Sequence, residues 1–230
     1  MMTHSTDRPL PLDALWNDPD DGAEEAFLPW WPFPSEVVVE DRTDTPFPHS
    51  EHKRDRPRPA DSVYALVLHQ MAFRRSRSRG PGRYDGVTAH YIITESGRLA
   101  QLHPVTTYLF ASNGFNSGSV AVEFSGNLPS VRGRCWSPDT HGCHELTRAQ
   151  VDAGRGLLRH LVREIGLTHV LAHRQASGSR TNCPGPDIWY NVGQWGVDEL
   201  GLKDGGPGFH LKGANPIPDQ WRTWGRSPAR

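Results

Sequence analysis

The sequence predicts an α/β fold: a single domain with a mixed central β-sheet flanked by helices, carrying extended N- and C-terminal arms. Three observations point there. The unbroken apolar run Val63-Tyr64-Ala65-Leu66-Val67-Leu68 has the composition of a strand buried on both faces. Further short β-type runs follow, two of them joined at Glu95-Ser96-Gly97 as in a hairpin. A long segment of helical period then precedes one more strand, and the order β–β–β–β–α–β–α implies a mixed sheet.

Taken along the chain, residues 1–60 lack periodicity. They hold a Pro-broken acidic stretch, the aromatic cluster Trp30-Trp31-Pro32-Phe33-Pro34 and a charged Pro-rich run over 51–59, a composition that reads as an arm. The aromatic cluster would dock on its own domain or on a partner. Order is expected over 61–203. His90-Tyr91-Ile92-Ile93 predicts the second strand, residues 98–102 the third and Val120-Ala121-Val122-Glu123-Phe124 the fourth. Thr147-Arg148-Ala149-Gln150 fits a capping box, in which the Thr and Gln side chains satisfy free amides at a helix start. Val151, Leu158, Leu161, Val162 and Ile165 recur at helical spacing, and Gly166 stops the helix. Residues 168–172 give the fifth strand. Residues 187–200 read as a closing helix with Trp189, Val192 and Trp195 on or near one face. Residues 204–230 return to a Gly/Pro-rich tail.

Bulk properties narrow the function. A chain of 230 residues suits one domain with flanking segments. Its 36% hydrophobic content is low, and 23 Gly with 20 Pro imply extensive loops. A net charge of −1 provides no global field to steer the chain to nucleic acid or lipid. No apolar run approaches a membrane span, and the polar, acidic start lacks an apolar signal core. The expectation is a monomer made in the cytoplasm without an ordinary export signal. Three cysteines are too few for a disulfide framework.

His69 and His173 each follow a predicted buried strand, and strand ends on one side of a sheet converge on functional sites. Cys183 lies in a loop closed by Pro184-Gly185-Pro186. Two imidazoles and a thiolate suit zinc, leaving a fourth position for water. Taken singly, such histidines are as readily surface hydrogen-bonders, and a lone Cys is a small buried hydrophobe. Cys135, His141, Cys143 and His144 form a second cluster whose spacing matches no closed zinc pattern. It reads as an uncommitted surface loop, with a Cys135–Cys143 disulfide possible only in an oxidising compartment. The arginines at 74, 75, 77 and 79 form either a carboxylate clamp or a solvated basic loop.

Four segments in order resemble the zinc-dependent N-acetylmuramoyl-L-alanine amidases, the family that includes the animal peptidoglycan recognition proteins. They are Leu66-Val67-Leu68-His69; Ala89-His90-Tyr91-Ile92-Ile93 leading to Gly97; Ser119-Val120-Ala121-Val122-Glu123 with Gly126 and Asn127; and His173 followed by Thr181, Cys183, Pro184, Gly185 and Pro186. The resemblance implies the amidase/peptidoglycan-recognition type of fold, with Zn2+ held by His69, His173 and Cys183. It implies Glu123 as general base and Thr181 as donor to the oxyanion. On residues alone, Glu123 could equally partner an Arg or a backbone amide, and Thr181 could bond its own loop. The chain departs from many relatives at Ala89, where they carry Tyr, and at Leu109-Phe110-Ala111-Ser112-Asn113, where they carry a Trp-His-Ala-type segment. His90 is expected to be structural.

The implied activity is hydrolysis of the amide between N-acetylmuramic acid and L-alanine. The partners would be peptidoglycan or muropeptides, plus delivery machinery or an immunity partner through the N-terminal arm. The alternative is a non-catalytic peptidoglycan-binding module. A bacteriolytic endolysin, a delivered effector acting on the cell wall and a cytosolic recycling enzyme all remain open.

Overall fold

A computed structural model describes residues 37–44, 54–75, 80–225 and 227–228. The aromatic cluster at Trp30, Trp31 and Phe33 lies outside the described residues, as do Arg77 and Arg79. The described strands are β1 (Val39–Asp41), β2 (Arg54–Pro57), β3 (Ala65–Gln70), β4 (Tyr91–Ile93), β5 (Leu99–Gln101), β6 (Thr107–Leu109), β7 (Ser119–Phe124) and β8 (His169–Ala172). The helices are α1 (Pro138–His141), α2 (Arg148–Ile165), α3 (Pro186–Ile188), α4 (Trp195–Leu200) and α5 (Asp219–Arg222), with a π-helical turn, Trp189–Gln194, joining α3 to α4.

Six strands form one mixed sheet in the order β1-β5-β4-β7-β3-β8, and β2 pairs with β6 in a separate ribbon. β4, β7, β3 and β8 run parallel to one another, whereas β4 and β5 form the expected antiparallel hairpin. β3 is central, which explains its unbroken apolar run. Leu66 and Leu68 face the main core with Val120, Val122 and Phe124 of β7, α2 and the π turn. Ala65 and Val67 face the opposite side, against Phe115 and Leu171.

α2 begins with the capping box read from the sequence. The Thr147 hydroxyl accepts from the Gln150 amide at 3.1 Å, and the Gln150 side chain accepts from the Thr147 amide at 3.2 Å. The helix ends at Gly166 in the left-handed conformation, φ 65°. The closing helix expected over 187–200 forms with the π turn at its centre; Trp189 and Val192 are buried there.

The arms are more integrated than their composition implies. β1 pairs in parallel with β5, and Val37 and Val39 pack on the main core. After residue 203, Phe209 and Leu211 cover the Val67 side of the sheet, and Ile217 and Trp221 join the main core. Glycines at 205, 206, 208 and 213 take positive φ and turn this segment back over the domain. A few well-spaced apolar anchors suffice to fix segments that carry no period of their own.

Glycine also sets helix-to-sheet distance. A Cβ on Gly154 of α2 would lie 2.9 Å from Phe124 Cζ and 3.1 Å from both Val192 methyls. Gly154→Ala gains about 1 kcal/mol of helix propensity but overpacks a rigid aromatic, a change that typically costs about 1–3 kcal/mol. Thermal unfolding of this variant should therefore show a lower Tm than the parent; an unchanged or raised Tm would contradict the tight contact.

Candidate metal centre and cleft

Strand register builds the centre. In the β3–β7 ladder His69 stands opposite Glu123, and in the β3–β8 ladder Leu68 stands opposite Ala172, so His173 follows directly at the level of His69. Parallel strands keep these positions on one edge of the sheet. The His69 and His173 rings lie 4.3 Å apart between centroids, and Glu123 Oε1 lies 3.9 Å from His69 Nδ1. Ligand atoms of His69, His173 and Cys183 all fall within 4.8 Å of one another, and all three residues are buried.

The outward nitrogen of each imidazole meets an oxygen. His69 Nε2 lies 3.2 Å from Ser112 Oγ, and His173 Nε2 lies 2.6 Å from Asn113 Oδ1. Donation from His173 Nε2 to the Asn113 amide oxygen leaves the His173 Nδ1 lone pair for a metal, and the Ser112 hydroxyl, which can accept in the same way, holds the His69 ring. Burial, and for His69 also the neighbouring His173, holds the His69 pKa well below its usual value; burial and Arg180 lower that of His173 to about 4. Both rings are thus neutral at pH 7, the state a metal requires. Ser112 and Asn113 were not expected to serve the site: they lie where the sequence departs from its relatives. An Asn at positive φ, 51°, was their one local peculiarity, and it becomes visible only in the structure.

Cys183 arrives on a loop that folds back on itself. Its amide donates to Arg180 O and its carbonyl accepts from the Arg174 amide, both at 3.0 Å. The Arg174 guanidinium donates to Thr181 O. Gln70, the residue after His69, ties the loop down by donating to Asn182 O at 2.5 Å and accepting from the Leu128 amide at 2.7 Å. The Cys183–Pro184 peptide is cis. Burial first, and then the Glu123 carboxylate, push the Cys183 thiol pKa up, while the Gln70 amide and Arg180 oppose them. A divalent cation would reverse that balance by deprotonating a coordinated thiol.

Glu123 Oε2 is shielded from solvent and has no hydrogen-bond partner among the described residues. Burial raises the carboxyl pKa to about 8, and Arg180 pulls the other way. An unsatisfied buried carboxylate oxygen beside three converging ligand atoms is an arrangement that fits a cation and its water. The centre opens into a cleft of about 650 Å³, whose lining includes Glu123, Arg180, Thr181, Phe110 and Trp136. Thr181 is therefore in the cleft, though its loop exposes it. Arg180, adjacent to Thr181, was overlooked in the sequence; its charge acts on His69, His173, Glu123 and Cys183 together.

Other candidates fall elsewhere. His90 is structural: its Nδ1 accepts from the Ala121 amide at 3.0 Å, and its Nε2 donates to Thr107 O at 2.8 Å. Tyr91 is buried in the main core rather than in the cleft. Arg75 donates to Arg83 O at 2.7 Å, a loop tie rather than an open clamp. The loop read as uncommitted is instead cross-linked by a Cys135–Cys143 disulfide, with Cα atoms 5.6 Å apart. His144 accepts from the Asn127 amide at 3.0 Å, and His141 stacks on Trp136. This second cluster is a braced loop, not a metal site.

Comparison with known proteins identifies the fold and the family. A search of curated proteins finds no match. The endolysin N-acetylmuramoyl-L-alanine amidase LysCS from Clostridium intestinale URNW has a similar fold at 14% identity and a TM-score of 0.52, covering 74% of this chain and 99% of its own. Drosophila PGRP-LB is similar at 13% identity and a TM-score of 0.52, covering 74% and 98%. The family model described as N-acetylmuramoyl-L-alanine amidase matches residues 58–186, more than half of the chain and a range that includes His69, His173 and Cys183. The chain belongs to the N-acetylmuramoyl-L-alanine amidase family.

Proposed function

We propose that the protein is a zinc-dependent peptidoglycan hydrolase that cleaves the amide between the lactyl group of N-acetylmuramic acid and L-alanine. The observation that carries the reading is the convergence of His69, His173 and Cys183 within 4.8 Å beside the unpaired Glu123 Oε2. His69, His173 and Cys183 would hold zinc, which when bound supplies a Lewis acid for the scissile carbonyl and lowers the pKa of water to roughly 7. Glu123 takes a proton from the attacking water and passes it to the leaving nitrogen of L-alanine. Thr181 donates its hydroxyl hydrogen to the carbonyl oxygen as negative charge builds there. Ser112 and Asn113 keep the imidazoles oriented.

A Cys135–Cys143 disulfide persists in oxidising compartments, which supports action on the cell wall outside a reducing cytoplasm. No helix among the described residues is long and apolar enough to cross a membrane. The segment before residue 37 is proposed as the arm that engages delivery machinery or an immunity partner.

Metal analysis of the purified protein should find about one zinc per chain, lost in Cys183→Ala and retained in Cys143→Ala. Asn113→Ala should weaken zinc binding about 10–100-fold in a chelator competition, with little change in fold. Zinc held equally well by Cys183→Ala would mean that the ligand set is wrong.

Glu123→Gln keeps size but cannot accept the proton, so kcat on muropeptides should fall about 10²–10⁴-fold while zinc content and Tm stay unchanged. Near-normal turnover would remove Glu123 from the base role. Binding of muropeptides by the zinc-loaded parent without any cleavage would assign the chain to recognition instead.

A further inference from the structure

Among the described residues the large exposed hydrophobics are Val38, Tyr64, Phe110 and Trp136, and two of them, Phe110 and Trp136, line the cleft of the metal centre. Trp136 is 62% exposed, a state that a Trp on a plain surface loop seldom gains from. Yet its ring is not loose. His141 stacks on it with centroids 4.6 Å apart and planes within 11° of parallel, so one face is covered and the other is presented.

The backbone on either side is held as firmly. Asn127 donates to Trp136 O and to Gly142 O at 2.6 Å each, and its Oδ1 accepts from the Trp136 amide at 3.2 Å. The Cys135–Cys143 disulfide closes the loop just outside the stacked pair. Such bracing lowers the entropy lost when a ligand settles on the exposed face. An exposed aromatic that is pre-positioned in a cleft, rather than buried by its own chain, is built for a ligand.

The chemistry of that ligand follows from two groups that line the cleft. Loop 177–182 contributes Arg180, a cation suited to the carboxylates of a stem peptide. The disulfide loop contributes a flat, stacked aromatic pair. A pyranose ring has the complementary form, with an apolar C–H face and its polar groups at the edge. We propose that the Trp136–His141 pair is a sugar-stacking platform that holds a hexosamine ring of the glycan strand, on the lactyl side of the scissile amide. The platform rests on the amidase reading and adds to it the requirement for a sugar. Trp136 is a specificity-determining residue and takes no part in proton transfer.

Two substrates with the same scissile amide test it: a disaccharide–tripeptide, and the same tripeptide carrying only a D-lactyl group. The parent should prefer the sugar-bearing compound. Trp136→Ala should lower kcat/KM on that compound about ten-fold or more, chiefly through KM, and leave the lactyl-peptide within about two-fold. Trp136→Phe, which keeps a flat ring, should recover most of the loss, and Tm and zinc content should not move. Equal losses on both compounds, or none on either, would overturn the platform while leaving the amidase reading intact. A parent that cleaves neither compound would overturn the amidase reading, and the platform with it.

Discussion

The parallel register of β7, β3 and β8 is the constraint on which the rest of the structure depends. It sets Glu123 opposite His69 and brings His173 to the same level, so three groups far apart in sequence share one edge of the sheet. Parallel pairing needs both faces of these strands covered. α2 and the π turn cover one face, and Phe115 with the returning C-terminal segment covers the other. A slip of one residue in β3 would turn His69 into the core and bring an apolar side chain to the site. The packing of Leu66, Leu68, Ala65 and Val67 is therefore what fixes the centre's geometry, although none of them touches it.

Much of this was legible in the sequence because the physics is local. An apolar run flanked by polar residues marks a buried strand, and Thr147 with Gln150 marks a helix start whatever the fold. His69, His173 and Cys183, which the structure brings within 4.8 Å of one another, could be singled out because each lies at the end of such an element or in a Pro-closed loop. The helper residues could not. Ser112, Asn113 and Arg180 sit in irregular loops, where side-chain direction depends on tertiary contacts that no period encodes. The same limit hid the packing of Phe209, Leu211, Ile217 and Trp221, which are single anchors in Gly- or Pro-rich surroundings, whereas the sheet role of Val39–Asp41 was signalled by the β-branched run Val37-Val38-Val39 and was passed over because the segment around it lacks a period. The cysteine pair was misread as an uncommitted loop because spacing alone does not show which residues approach; the structure brings their Cα atoms to 5.6 Å.

Buried polar groups away from the cleft bind the fold together. His90 is paired at both ring nitrogens, and the Arg83 guanidinium meets the Glu95 carboxylate at 2.6 and 2.7 Å, although Arg83 Nε has no partner among the described residues. Groups of this kind specify the fold, since each would be costly if left alone. Glu123 has one carboxylate oxygen buried and unpaired among the described residues. What sets that oxygen apart from the unpartnered guanidinium nitrogens elsewhere in the domain is its place beside the converging His69, His173 and Cys183.

The central claim is the identity of the bond that breaks, and isotope-resolved mass spectrometry reads it directly. Peptidoglycan digested by the zinc-loaded protein in H₂¹⁸O should yield a muramyl lactate that has gained one ¹⁸O and a stem peptide with a free L-alanine amino group carrying none. Label at a sugar C1, or on a carboxyl within the stem peptide, would place the cut elsewhere and contradict the account.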